Sequence, residues 1–444
     1  MIKKRLTAIV AALLMVFAIA GCNKETETAS TDALVPNVIT STDTSATTTP
    51  AITDANGQTY SSVETLSSEE LQSQINDVMT ASFTSATEVL KQEEGVRESK
   101  DRYAYNTLTD DEKLLYDLIV QQAETLSIKV ANAEILVPKE TWDKVYCMVY
   151  NQEPQLFWLS PKLQRVGRLY YRTSDPEMIK SMQAEIDTTV NKLLAEMNGM
   201  SDYEKLDYIN TYLSLNSTFQ LGHETEDQIL YNSTIYNAFA GGTSEQGDIQ
   251  CVGYAHAVQY LCDRIGINSM VITGVTSTGE SHAWNVLSVD GQWYNYDVTW
   301  DDPIFEIPNY KNVRHMYMLV PDSWILDKTH FSQNMKFYST GESFKFFDVP
   351  QCTSTDMNWF KQEGMIFSDS TAAVSELTKQ LDNAAANGLR TTEIMCADKT
   401  VYDKVRTELS TMQNSLKSKY SNVKGLSDKC NEAMLVVELD VIYN

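Results

Sequence analysis

HAWNVLSVDGQWYNYDVTW, residues 282–300, reads as two short strands joined by a tight turn. Asp290-Gly291 supplies turn chemistry, and apolar residues flank it on both sides. Side chains alternate along a strand, so His282 and Trp284 share a face. Two registers are open. With Val289-Asp290 as the loop, His282 lies directly opposite Asp297. With Asp290-Gly291 as the loop, His282 opposes Thr299 and Asp297 becomes its diagonal neighbour. Both registers place the imidazole and the carboxylate on one face, within reach of each other. A carboxylate bonded to an imidazole fixes the tautomer and favours the charged ring. Such a pair has a catalytic use where a weak nucleophile stands nearby.

The candidate nucleophile is Cys251, in QCVGYAHA, residues 250–257. CVGYAHAVQYLCDRI reads as a helix of about four turns closed by Gly266. At the start of a helix the dipole and the free N–H groups favour a thiolate and can face an oxyanion. Cys251, His282 and Asp297 in that order therefore read as a papain-like arrangement for acyl transfer. Gln250, Tyr236 and Trp284 are candidates to line the site, whereas Trp293 and Trp300 are assigned to packing. Gly253 weakens the helix but lets another backbone approach closely. His256 lies about 140° round the helix from Cys251 and is expected to pack elsewhere, and Cys262 is expected in the core. A zinc ion held by Cys251, His282 and Asp297 is chemically permissible. The catalytic arrangement accounts better for a cysteine at a helix start, so neither metal nor cofactor is expected.

CVGYA (251–255), GINS (266–269), HAWN (282–285) and WYNYDVTWDDP (293–303) together resemble the transglutaminase-like superfamily, and within it bacterial lipoprotein members. DYEKLDYINTYL and HMYMLVPD extend the resemblance to about residues 200–330. It implies an α+β core, a cysteine helix packed on an antiparallel sheet, with Cys251 as nucleophile, His282 as base and Asp297 as orienting acid. It implies amide chemistry through a thioester, by a cysteine peptidase or a protein-glutamine acyltransferase. Peptide hydrolysis is favoured, because water needs no second binding site. The segment SEQGDIQ before Cys251 departs from the family's pattern, which bears on the cleft. The alternative expectation is a non-catalytic surface binding module on the same scaffold.

The chain's start points to where it works. MIKKRLTAIVAALLMVFAIAGC has three basic residues, a short apolar run and Gly21-Cys22, the layout of a secretory signal rather than a membrane span. Ile19-Ala20-Gly21-Cys22 resembles a bacterial lipobox, which implies cleavage after residue 21 and lipid on Cys22. The expected location is the outer face of the bacterial cytoplasmic membrane. Residues 22–75 are rich in Thr, Ser and Ala and cannot offset their ordering entropy by burial, so they read as a tether. The formal charge of −25, deepening to −28 without Lys3, Lys4 and Arg5, argues against nucleic acid as a partner. The expected partners are a peptide or protein substrate at the cell surface and, through Cys22, the membrane. Oligomeric state is not legible.

The folded part divides by pattern into a mainly helical region (76–199), the transglutaminase-like region (200–345) and a small α+β region (346–444). SEELQSQINDVMTASFTSATEVL and DDEKLLYDLIVQQAETLSIKV have helical spacing. Thr109 with Glu112 and Ser201 with Glu204 have capping-box spacing, and Asp175-Pro176 opens a further helix. GRLYYRTS reads as a strand. Six cysteines besides Cys22 are scattered without a CxxC pair, and sequence leaves up to two disulfides among Cys147, Cys262, Cys352, Cys396 and Cys430 open.

Overall fold

The computed structural model describes residues 52–53, 59–60, 102–130, 133, 137–163, 165–219, 231–241, 247–302, 313–331, 334–336, 343–345 and 347–444. The leader, Cys22 and the helix expected over SEELQSQINDVMTASFTSATEVL lie outside the described residues. The chain divides into two units, Met1–Leu71 and Gln72–Asn444. In the first, Ile52–Thr53 pairs antiparallel with Thr59–Tyr60. Among the described residues no helix is long and apolar enough to cross a membrane.

The second unit is α+β, as the pattern predicts. Helices Asp110–Glu124 and Lys139–Gln152 close over their own apolar core, including Tyr116, Ile119, Trp142 and Val145. Thr109 and Glu112 satisfy each other's backbone N–H groups, as do Ser201 and Glu204, so both capping boxes form. Asp175 caps Pro176–Glu196 from the position before the proline. GRLYYRTS is not a strand. Only Lys129↔Arg168 and Leu159↔Tyr171 bridge, because its backbone groups bond to irregular neighbours, such as Leu169 N to Ile128 O and Arg172 N to Trp158 O.

The central sheet has the order Gln292–Tyr296, Ser281–Val289, Ser269–Thr276, His330–Phe331, with every pair antiparallel. Val289 pairs with Gln292 and Asn285 with Tyr296, so Asp290-Gly291 is the loop and the second of the two registers is realised. Both turn residues have positive φ, 49° and 74°, as a two-residue hairpin loop requires.

Strand parity sorts the sheet's neighbours. Ala283, Asn285 and Leu287 face the Cys251–Ile265 helix, and Asn285 Nδ2 donates to Ala255 O at 3.0 Å. Trp284 and Val286 face the other way, against Met270, Ile272 and Cys352. The helix ends at Gly266 with φ 82°, the left-handed residue that closes many helices. At Gly253 a Cβ would stand 2.6 Å from Asn232 O, so this glycine sets how closely the 232 backbone approaches.

Ahead of its pairing with His330–Phe331, the outer edge of Ser269–Thr276 is closed by a side chain. Gln152 Nε2 donates to Val271 O at 2.9 Å, and Val271 N donates to Gln152 Oε1 at 3.3 Å. The C-terminal sheet has the order Ile366–Phe367, Thr391–Cys396, Val436–Tyr443, Val423–Asp428. Helices Ser370–Asn387 and Lys399–Lys419 pack on its apolar face. All six described cysteines are free thiols.

Candidate functional site: a shared carboxylate between two histidines

Asp297 follows the last residue of its strand and caps the short helix Val298–Asp301, its Oδ1 accepting from Trp300 N at 3.2 Å. Its other oxygen, Oδ2, lies 2.6 Å from His282 Nε2 and 2.8 Å from His330 Nε2. An ionised carboxylate only accepts, so both Nε2 atoms carry hydrogen and donate to it. His330 reaches the cluster from the short edge strand, where it pairs with Thr276, and its Nδ1 lies 2.9 Å from Thr329 Oγ1. Gly274 stands opposite His282, so no side chain fills the strand position between the two rings.

The cluster is dry. His330, Asp297 and His282 are 0%, 2% and 6% exposed. Burial works against a charge on His282, but the Asp297 charge and hydrogen bond, with Cys251 behind them, hold its pKa up at about 10. Burial pushes the Asp297 carboxyl up, yet His282 and then His330 outweigh it and hold it well below the usual carboxylate range. Trp284 and Trp300 enclose the pair. Trp284 stacks on His282 with centroids 5.9 Å apart, and Trp300 lies 4.6 Å from His330.

The donor set of two imidazoles and a carboxylate, all within 4.8 Å of one another, is one that divalent ions accept. The separations fit protons instead. Donors on a tetrahedral ion with bonds of about 2.0–2.1 Å stand about 3.3 Å apart, wider than the 2.6 and 2.8 Å found here. This is a hydrogen-bonded cluster.

The geometry corrects the expected chemistry. Strand parity places His282 and Asp297 together, but the buried cluster they form is His282–Asp297–His330, with no cysteine in it. The cysteines are dispersed, and the expected Cys-His-Asp triad acting on peptide or glutamine amides through a thioester is set aside. The physical reason is the sheet's two faces. The cysteine helix packs on the Ala283 face, where Cys251 sits against Ala255, Val271 and Ala283. The cluster occupies the opposite face, and Cys251 meets only His282, as a hydrogen-bonding neighbour where that strand begins.

The candidate lining residues are spread out. Trp284 is 1% exposed and lies beneath the cluster, its Nε1 donating to Asn295 Oδ1 at 3.0 Å. Tyr236 donates to Glu185 Oε2 at 3.2 Å and packs on Phe157 and Tyr231. Gln250 is the residue before the cysteine helix, its N bonded to Asn232 O. His256 packs as expected, with Nδ1 3.1 Å from Ser233 O and burial lowering its pKa to about 3. His330 is the member that the sequence reading missed. It belongs to a two-residue strand 33 positions beyond Asp297, and no local spacing marks it.

Comparison with known proteins adds a partial likeness. Residues 191–298 match the model of the transglutaminase-like superfamily. No curated protein matches the chain. Among solved structures, one titled as the crystal structure of a TGase is 18% identical, with TM-score 0.24, over 32% of this chain and 36% of that one. A putative cysteine protease from Cytophaga hutchinsonii is 19% identical, with TM-score 0.21, over 28% of this chain and 43% of that one. The matched part thus spans less than half of either structure's length. Residues 191–298, which contain the cysteine helix and the hairpin but stop short of His330, bear a distant relationship to the transglutaminase-like superfamily.

Proposed function

We propose that the chain is a hydrolase whose working group is the His282 imidazolium, held in place by Asp297. One observation carries the reading: a single carboxylate oxygen takes hydrogen bonds from two imidazoles. A ring whose pKa stands at about 10 is a proton donor at neutral pH, not a base. Of the three cluster members His282 is the most exposed, and it borders the N-terminal end of the cysteine helix. Charge developing on an acyl oxygen would be stabilised by the imidazolium and by backbone N–H groups of that helix end. Water oxygen bonds to the acyl carbon, the leaving group departs with the His282 proton, and the ring regains a proton from the attacking water.

Turnover of a p-nitrophenyl acyl ester by wild type, His282→Gln and Cys251→Ala tests this. His282→Gln is expected to lose about 10²–10³ in kcat, and Cys251→Ala less than about tenfold. Activity should hold through neutral pH and fall as pH rises through about 10, where the donor is lost. Complete loss in Cys251→Ala, or an acyl group trapped on that sulfur, would overturn the reading.

An extracytoplasmic location, lipid on Cys22 and a surface peptide or protein as partner belong to the same proposal, supported by the leader's layered composition. A Cys22→Ala chain should then appear in the medium rather than in the membrane fraction. Equal membrane association of both chains would remove the anchor.

A further inference from the structure

The C-terminal sheet turns one face toward the central core, and that face is acidic. Glu393 pairs directly with Glu438, Thr391 pairs with Asp440, and alternation places all three acids on the side away from the sheet's own helices. Carboxylates directly opposite are unfavourable unless a cation answers them, and burial together with the neighbouring acids already raises the Glu438 pKa to about 8. The answer comes from the segment Arg314–Tyr317. Arg314 Nε lies 2.6 Å from Glu438 Oε1, out of line for a hydrogen bond, and Nη2 lies 3.1 Å from Asp440 Oδ2. Glu393 grips His315 twice, with Oε1 2.6 Å from Nδ1 and Oε2 accepting from the backbone N–H at 3.2 Å. Trp359 stacks on the same ring at 4.1 Å and 8°, and Asp207 Oδ1 lies 3.5 Å from its Nε2.

Two residues on, the segment reaches the centre. Asp297 N donates to Tyr317 O at 3.1 Å, and Tyr317 N donates to Asp301 Oδ1 at 2.9 Å. The Tyr317 ring stands 5.0 Å from Trp300 and 5.9 Å from His330. Further along, Asn295 and Val320 exchange both backbone hydrogen bonds, so the segment bridges to the outer edge of the strand that leads into Asp297. Each link is a direct contact, from a C-terminal carboxylate to the carbonyl that holds the Asp297 backbone.

We propose that Glu393, with Glu438 behind it, is a positioning residue for the His282–Asp297–His330 centre, acting through the Arg314–Tyr317 segment. The C-terminal sheet is then part of the site's frame. The inference rests on the hydrolase reading for its consequence, but its test does not need turnover. The His282 ring is titrated by NMR in the full chain for wild type, Glu393→Ala, Glu393→Gln and Leu377→Ala. Leu377→Ala is a control that weakens the helical face of the same sheet, where Leu377 is fully buried. Glu393→Ala should lower the His282 pKa by about one unit, a tenfold change in its protonation equilibrium. Leu377→Ala should lower the unfolding midpoint and leave that titration in place. Glu393→Gln, which keeps an acceptor for the His315 N–H, should shift it in the same direction by less, and it serves alone if the alanine variant does not fold. An unmoved His282 in the Glu393 variants, or an equal shift in Leu377→Ala, would overturn the proposal. Failure of the ester assay with these shifts present would instead count against the hydrolase reading alone.

Discussion

Replacing Asp297 by alanine is expected to cost about 3–5 kcal/mol of stability, because it leaves buried charge without its partner. His282 would then keep the burial that disfavours its charge and lose the carboxylate that maintains it, so its pKa should fall from about 10 to below its ordinary value. The pH dependence carries the same signature. The His282 pKa is raised in the fold, so its contribution is complete below about pH 6.5 and is lost as pH rises through about 10. The Asp297 pKa is depressed, so its contribution is present above about pH 4 and is lost as pH falls. The cluster therefore stabilises most between about pH 4 and 6.5. Buried Asp302 and Glu438, raised to about 7 and 8, also make the fold less stable as pH rises toward those values. Their effect persists in Asp297→Ala, so the difference between the two proteins isolates the cluster. Urea unfolding from pH 4 to 10, with NMR titration of His282, measures both. Parallel stability curves for the two proteins would show that the three groups are not energetically linked.

Trp284→Ala is expected to cost about 3–5 kcal/mol as well, for a different reason. The indole is 1% exposed and packed among Met270, Ile272, Val286 and Cys352. It also forms a wall of the cluster, with its ring 5.9 Å from His282 and 4.9 Å from His330. Truncation leaves a cavity beneath two imidazoles and removes the donor to Asn295 Oδ1. Trp284→Phe separates these effects. It keeps most of the apolar volume and loses the hydrogen bond, for about 1–3 kcal/mol. Denaturant unfolding of both variants decides the matter. A loss below about 1 kcal/mol in Trp284→Ala would return this residue to a surface, site-lining role.

Legibility in the sequence follows the range of the interaction. Alternation and a two-residue turn act locally, so the hairpin, its possible registers and the His282–Asp297 pairing can be read from residues 282–300. Capping boxes are equally local, and Thr109 and Ser201 behave as their spacing predicts. The same alternation also holds the correction. If His282 and Trp284 share one face, then Ala283 and Asn285 share the other, and the small Ala283 is where a helix can come close. Which face receives the cysteine helix is settled by packing across the whole core, which spacing within one hairpin does not encode. His330 lies further out of reach. Its strand has two residues, and what places it is pairing with Thr276 and Phe331 with Val275. GRLYYRTS fails for the converse reason, since its composition suits a strand but only isolated bridges form along it.

The amide of Gln152 on Val271 has a consequence beyond the fold itself. A strand whose outer N–H and C=O groups stand free is a template on which another molecule can add a strand and begin an aggregate. Gln152 presents to Val271 the same donor and acceptor that a neighbouring peptide unit would, and it does so from a helix that cannot propagate a sheet. One side chain thus takes the place of an edge strand and denies that position to other copies of the chain.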